Sequence, residues 1–153
     1  MERNDREPAI PETMNFYDPD GSIRQDLFSV VAERQGRALV QRKSEKRKGG
    51  RGTVEITPTQ VRRFFDEVKG IQRYLNQFQP EERESAFRRK LPEIMMLKAK
   101  VTYARGRDAL TDEFKGFIEK SVASIKNLRD FEVFCKFFEA VYGYFYYYSP
   151  KKD

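Results

Sequence analysis

The side chains here that could do acid–base chemistry are carboxylates, because the chain contains no histidine. That absence removes the commonest general acid and base, the commonest metal ligand, and any Ser–His or Cys–His nucleophile pair. Asp66 and Glu67 are neighbours, but adjacent helix positions point about 100° apart, so the two carboxylates do not converge. Glu81, Glu82 and Glu84 follow Pro80, where negative charge stabilises the positive end of a helix. The single cysteine, Cys135, lies among Phe134, Phe137 and Phe138 and reads as a small buried hydrophobe. Glycines at 49, 50 and 52 sit in a basic stretch with no strand before them, so they do not form a phosphate loop. The residues signal no catalytic set, no metal site and no cofactor, and the expectation is a protein that is not an enzyme.

The cations carry more. Residues 88–107 hold seven Lys or Arg against one acid, Glu93, and residues 37–51 hold another seven against Glu45. The whole chain is only +6, so the rest of it is net acidic and the positive charge is segregated. A polyanion would bind at those two segments. Helical geometry groups Met96, Lys100, Tyr103 and Arg107 on one face after Pro92, with Lys98 and Arg105 flanking the apolar stripe from another side. Cations beside an aromatic ring suit a single strand of nucleic acid: Lys and Arg meet phosphates, and the ring stacks on a base. Arg62, Lys69 and Arg73 share one edge of an upstream helix. The competing reading there is plain surface pairing, Arg62 with Asp66 and Arg63 with Glu67. The primary candidates for contact are therefore Arg62, Lys69, Lys98, Lys100, Tyr103, Arg105 and Arg107. Lys46, Arg47, Lys48, Arg51 and Arg73 are secondary.

These residues need a helical scaffold. Residues 1–21 are polar, contain three prolines and read as a mobile tail ending in an Asp20–Gly21 turn. Ser22 is placed to cap a first helix over residues 22–41, and the basic linker at about 42–53 reads as a loop or frayed helix end. Thr57, Pro58 and Gln60 predict a capped helix start with a capping box. Val61, Phe64, Phe65, Val68, Ile71, Leu75 and Phe78 follow as one apolar stripe. The pattern predicts a short helix over 81–90, another from Pro92 to about 106–108, one capped by Thr111, and a last one opening at Asp130. Nothing alternates as a strand would over a useful length. The expected fold class is all-α: a single compact bundle of five to six helices over residues 22–148, with short tails at 1–21 and 149–153. The opening residues are charged and carry no signal-peptide pattern, and residues 131–148 carry Glu132, Lys136 and Glu139, which excludes a membrane span. A soluble, cytoplasmic protein is expected.

Two blocks have a familiar form. Ile56-Thr57-Pro58-Thr59-Gln60-Val61-Arg62-Arg63-Phe64-Phe65-Asp66-Glu67-Val68-Lys69 resembles the T-x-x-Q-[IV]-R-x-F-[FY]-x-E-V signature of the small helical subunit of type III-A CRISPR effector (Csm) complexes. Leu97-Lys98-Ala99-Lys100-Val101-Thr102-Tyr103-Ala104-Arg105-Gly106-Arg107 resembles the L-K-x-K-x-x-Y-x-x-x-R block of the same family. The resemblance spans residues 22–148 and includes the aromatic end at Phe137-Phe138-Glu139-Ala140. It implies a non-catalytic subunit of an antiviral ribonucleoprotein. Several copies would line the groove where target RNA pairs with guide RNA, against the backbone and large subunits and against neighbouring copies of itself. Base pairing would read sequence, leaving the small subunit the sugar-phosphate backbone. Two other readings remain open: a stand-alone helical nucleic-acid-binding protein, and a helical scaffold whose basic faces meet acidic proteins. Exposed aromatic surface leaves a homodimer open for the isolated chain.

Overall fold

The computed structural model describes residues 14–47 and 49–150. A π-helical turn, Leu27–Val31, leads into α1 (Ala32–Gln41). Strands β1 (Ser44–Glu45) and β2 (Thr53–Val54) follow, then α2 (Pro58–Asn76) and a 3-10 turn at Pro80–Glu82. Helices α3 (Arg83–Gly106), α4 (Asp112–Ala123) and α5 (Leu128–Tyr148) complete the chain. The protein is all-α apart from the two-stranded hairpin. None of its described helices is long and apolar enough to cross a membrane.

Helix α5 holds the centre. Phe131, Phe134, Phe138, Val141 and Phe145 follow the helical period, and all are buried; so are Val133, Cys135 and Phe137, which point elsewhere. Apolar residues on more than one face require neighbours on more than one side. Helix α4 supplies Phe114 and Phe117, with Phe117 edge-on to Phe138 at 5.3 Å between ring centroids. Helix α2 supplies Phe65, edge-on to the same ring at 5.4 Å. Phe87 of α3 meets Phe131 at 6.3 Å. Helix α1 crosses α5 at Gly36, where a Cβ would stand 2.8 Å from the Phe145 backbone nitrogen and 2.8 Å from Tyr144 Cβ. Glycine is required there by close approach, not by conformation. Burial desolvates the Cys135 thiol and pushes it up to about 12, so it remains an un-ionised packing group.

The structure departs from the sequence expectations at several boundaries. Residues 14–21, expected in the mobile tail, pack on the bundle. Phe16 is buried and sits 6.1 Å from the Phe137 ring, and Tyr17 forms an isolated bridge with Ile23 around a turn at Gly21. Apolar residues set among polar ones gave that segment no period, yet two aromatics suffice to anchor it. Ser22 hydrogen-bonds Asp20 and caps no helix. The linker at 42–53 contains β1 and β2, paired Ser44 to Val54 and Glu45 to Thr53, a ladder too short to show alternation.

Helix starts also shift. Thr57 and Pro58 do start α2, but the Thr57 side chain makes no capping bond; its carbonyl accepts from Gln60 N at 3.1 Å and Val61 N at 3.2 Å. Thr111 caps α4 as expected, accepting from Phe114 N. Helix α5 opens at Leu128, two residues before Asp130, with Asn127 as its cap: Asn127 Oδ1 accepts from Asp130 N at 2.9 Å, while Asp130 accepts from Lys126 N at 3.0 Å. The two expected helices around Pro92 are one. Pro92 removes the hydrogen bond to the Arg88 carbonyl, but both residues are solvent-exposed, so the loss costs less there than it would in the core. Buried Phe87 on one side and Ile94 and Leu97 on the other hold the helix together across the proline.

Two outcomes follow from this packing. Gly36→Ala should lower the unfolding free energy by about 1–3 kcal/mol, read by urea denaturation, because the added methyl meets backbone at the α1–α5 crossing. An unchanged midpoint would contradict the close approach. Tyr17 Oη donates to Asp130 at 2.6 Å, and desolvation followed by that bond and the Asp130 charge pushes the phenol up to about 12. The folded value lies above the ordinary 10.0, so its stabilisation is complete below pH 10 and lost as pH rises through about 12. Tyr17→Phe should therefore be less stable than the parent at pH 8, by about 1–2 kcal/mol for a bond to a charged acceptor. The gap should close between those two pH values in thermal melts; a gap independent of pH would exclude this pairing.

Candidate nucleic-acid interface

Alongside the core, α2 and α3 leave an open cleft of about 470 Å³. Its α3 side is Lys100, Tyr103 and Arg107 from the face that helical spacing groups, with Ala104 from the core side in place of Met96. Its α2 side is Gln60, Arg63, Phe64 and Glu67. Val101 and Leu97 bury on the adjacent side of α3, about a quarter-turn away, which leaves Lys100, Tyr103 and Arg107 at the edge of the core and open to solvent. Tyr103 is 66% exposed, and the Arg107 guanidinium lies 5.6 Å from its ring centroid. The pairing holds a cation beside an accessible aromatic face. From Lys100 to Arg107 the face runs seven residues, about 10 Å along the helix.

One acid stands inside this cleft. Glu67 pairs with Lys100 across the two helices and does not pair with Arg63. Arg62 makes no pair with Asp66 either, so among the described residues neither expected i,i+4 pair forms. Arg63 and Gln60 are functional candidates that sequence reasoning missed. The signal that could have found them is the sharing of one apolar face by Phe64, Val68 and Ile71, which orients Arg63 toward α3 and Arg62 toward α5.

The other predicted residues are dispersed. Arg62 lines a separate groove of about 370 Å³ with Pro58, Thr59, Tyr142, Gly143 and Tyr146. Lys69 sits 3.9 Å from Glu139 and over the Phe65 ring at 5.8 Å, so it ties α2 to α5. Arg73 is exposed farther along α2. Lys98 is exposed but lies about 200° around α3 from Lys100 and does not line the cleft. Lys46, Arg47 and Arg51 are exposed on the hairpin, and Lys48 lies outside the described residues.

Arg105 requires a correction. It is only 5% exposed, and its guanidinium is committed to Asp112 Oδ1 at 2.7 Å, Asp108 Oδ1 at 3.2 Å and the Glu45 carbonyl at 2.7 Å. The local sequence shows no acid beside it in α3, but the fold brings carboxylates from the following turn and from α4. Arg105 is a structural cation and not part of the exposed face.

Chemically, the cleft offers cations for phosphates, a ring for stacking and a glutamine that can donate or accept. Among the described residues no cluster of three His, Cys, Asp or Glu could hold a metal ion. The family model described as Csm2 Type III-A matches residues 34–151, which takes in both cleft helices and the hairpin. Comparison with curated proteins and with solved structures gives no match.

Because Glu67 competes with any anion for Lys100, Glu67→Gln should raise affinity for a single-stranded polyanion such as poly(U). The expected gain is about 3- to 10-fold at low salt, on the scale of one surface charge interaction. Fluorescence anisotropy would measure it. Equal or weaker binding would mean that anions do not enter the cleft.

Proposed function

The chain belongs to the Csm2 type III-A family and is a subunit of a type III-A Csm complex; from that premise we propose that it is a non-catalytic RNA-contacting tile of the assembly. In this reading the α2–α3 cleft takes the sugar-phosphate backbone of target RNA, or of the guide–target duplex. The observation that carries it is the joint presentation of Lys100, Tyr103, Arg107 and Arg63 on one open face. Such a face reads shape and charge. It has no array of base-edge donors and acceptors, which suits a particle whose sequence reading is done by base pairing.

The magnitudes favour a weak contact multiplied by assembly. Three phosphate contacts on a single strand give a salt slope of about −2, so affinity falls roughly 16-fold between 50 and 200 mM salt. One subunit alone holds RNA poorly under physiological conditions. Several copies along one RNA convert later contacts into intramolecular ones and raise the combined affinity greatly. The same reading places the backbone and large subunits, guide RNA, target RNA and neighbouring copies among its partners. It also places the protein in the cytoplasm, where such complexes would meet invading transcripts. Tyr147, 72% exposed, and Tyr146 on the far end of α5 offer surface for protein neighbours or, in the isolated chain, for a second copy.

The test is target capture by reconstituted complexes. Lys100→Glu with Arg107→Glu should reduce capture by 10-fold or more and make the salt slope shallower by one to two units, with helical circular dichroism unchanged. Tyr103→Ala should weaken binding by about 5- to 100-fold through lost stacking while leaving the salt slope in place. Undiminished capture by the charge-reversal variant would remove the cleft from the RNA path.

A further inference from the structure

The hairpin of β1 and β2 has only two residue pairs, too few to hold its own geometry in water. Its geometry depends on what its base is tied to, and three hydrogen bonds tie it to the junction of α3 and α4. Arg105 Nη2 donates to the Glu45 carbonyl at 2.7 Å. Arg47 N donates to Asp108 Oδ1 at 2.8 Å. Asp112 N donates to the buried Ser44 hydroxyl at 2.7 Å. Asp108 has φ of 63°, a left-handed conformation that Asp and Asn tolerate better than most residues, and from it the carboxylate reaches both Arg105 and Arg47 N. A buried guanidinium is unfavourable unless its charge and its donors are all matched. Here two carboxylates and a carbonyl meet it, one on each of its three nitrogens, from the turn, α4 and the hairpin, which a leucine filling the same space could not join.

The location of this joint matters. Arg107, the last cation of the cleft, directly precedes Asp108, and Asp108 directly holds Arg47. Beyond that point Lys46, Arg47 and Arg51 are exposed, and the hairpin carries no exposed aromatic ring among its described residues. Its chemistry is that of phosphate contact without stacking. We infer that Arg105 and Asp108 form a latch that fixes the basic hairpin as an arm continuing the cleft, so that RNA phosphates leaving Arg107 pass onto Lys46, Arg47 and Arg51. Arg105, instead of touching RNA, is a positioning residue, and Asp108 is its partner. This inference rests on the RNA-contacting reading of the cleft and extends it by a second, aromatic-free segment.

The experiment uses the full chain and a labelled single-stranded RNA at several salt concentrations, with hydrogen exchange over residues 44–54 read in parallel. Lys46→Glu, Arg47→Glu and Arg51→Glu together lie on exposed surface and should leave helical content intact, lower affinity by 10-fold or more and make the salt slope shallower by about two units. Asp108→Gly keeps the left-handed backbone but removes the carboxylate. It should speed exchange in the hairpin and lose several-fold in affinity, whereas Asp108→Asn, which keeps an acceptor for Arg47 N, should recover most of both. If the triple variant binds like the parent while Lys100→Glu with Arg107→Glu is weakened, the arm is overturned and the cleft reading stands; hairpin charges meeting an acidic protein would give that result. If the triple variant is weakened but Asp108→Gly matches the parent in affinity, the latch is overturned. If neither the charge reversal in the cleft nor that in the hairpin changes binding, both the arm and the cleft reading fail.

Discussion

Helix α5 carries more aromatic surface than one face can bury, and the rest of the bundle is arranged to meet that requirement. Its phenylalanines point toward α4, α2, α3 and the N-terminal Phe16, while its C-terminal half takes α1 at a crossing so close that only Gly36 fits. One stripe of α5, with Arg129, Glu132, Lys136 and Glu139, stays in solvent. The surfaces left to solvent include the outer faces of α1, α2 and α3, the hairpin and the tyrosine end of α5. Among the described residues only Arg105 and Asp130 carry charge into buried positions, and both are hydrogen-bonded there, because an aromatic interior offers an unpaired charge no partner.

The cations then divide by what the fold places beside them. Lys69 meets Glu139, Arg105 meets Asp108 and Asp112, and Lys90 meets Glu93. The first two hold separate elements together, and the third lies within α3. Lys100 occupies an intermediate position, since its partner Glu67 is half-exposed and could be displaced by a stronger anion. Arg63 and Arg107 face open space beside Tyr103. A face of two to four cations and one ring is a poor binding site alone and a serviceable one when repeated, which agrees with membership of a family of complex subunits.

Much of this was legible along the chain. The all-α class, the Thr57–Pro58 start of α2, the Thr111 cap, the buried state of Cys135 and the grouping of Lys100, Tyr103 and Arg107 all depend on local spacing, which sequence states directly. Composition separated the two basic segments, and the two quoted blocks resembled the family whose model matches the chain. What local pattern could not carry was the fate of residues whose partners lie beyond their own helix. Arg105 looked like an exposed cation because its acids and the Glu45 carbonyl come from other elements. Pro92 looked like a boundary because the burial that sustains the helix on both sides of it is tertiary.

The sequence by itself determined which stretches would be helices, which face of each would be greasy and how positive charge would be distributed, because periodicity and composition are properties of the chain. Only the tertiary structure decided which cations remain available. It brought Arg63 to the cleft, set Lys98 and Arg62 apart from it, and turned Arg105 inward to join α3, α4 and the hairpin. The physical reason is that a charge is exposed or committed according to the carboxylates and carbonyls that packing delivers within hydrogen-bond reach. For Arg105 that delivery joins two acids, three and seven residues on, to a carbonyl sixty residues back, which no helical period relates.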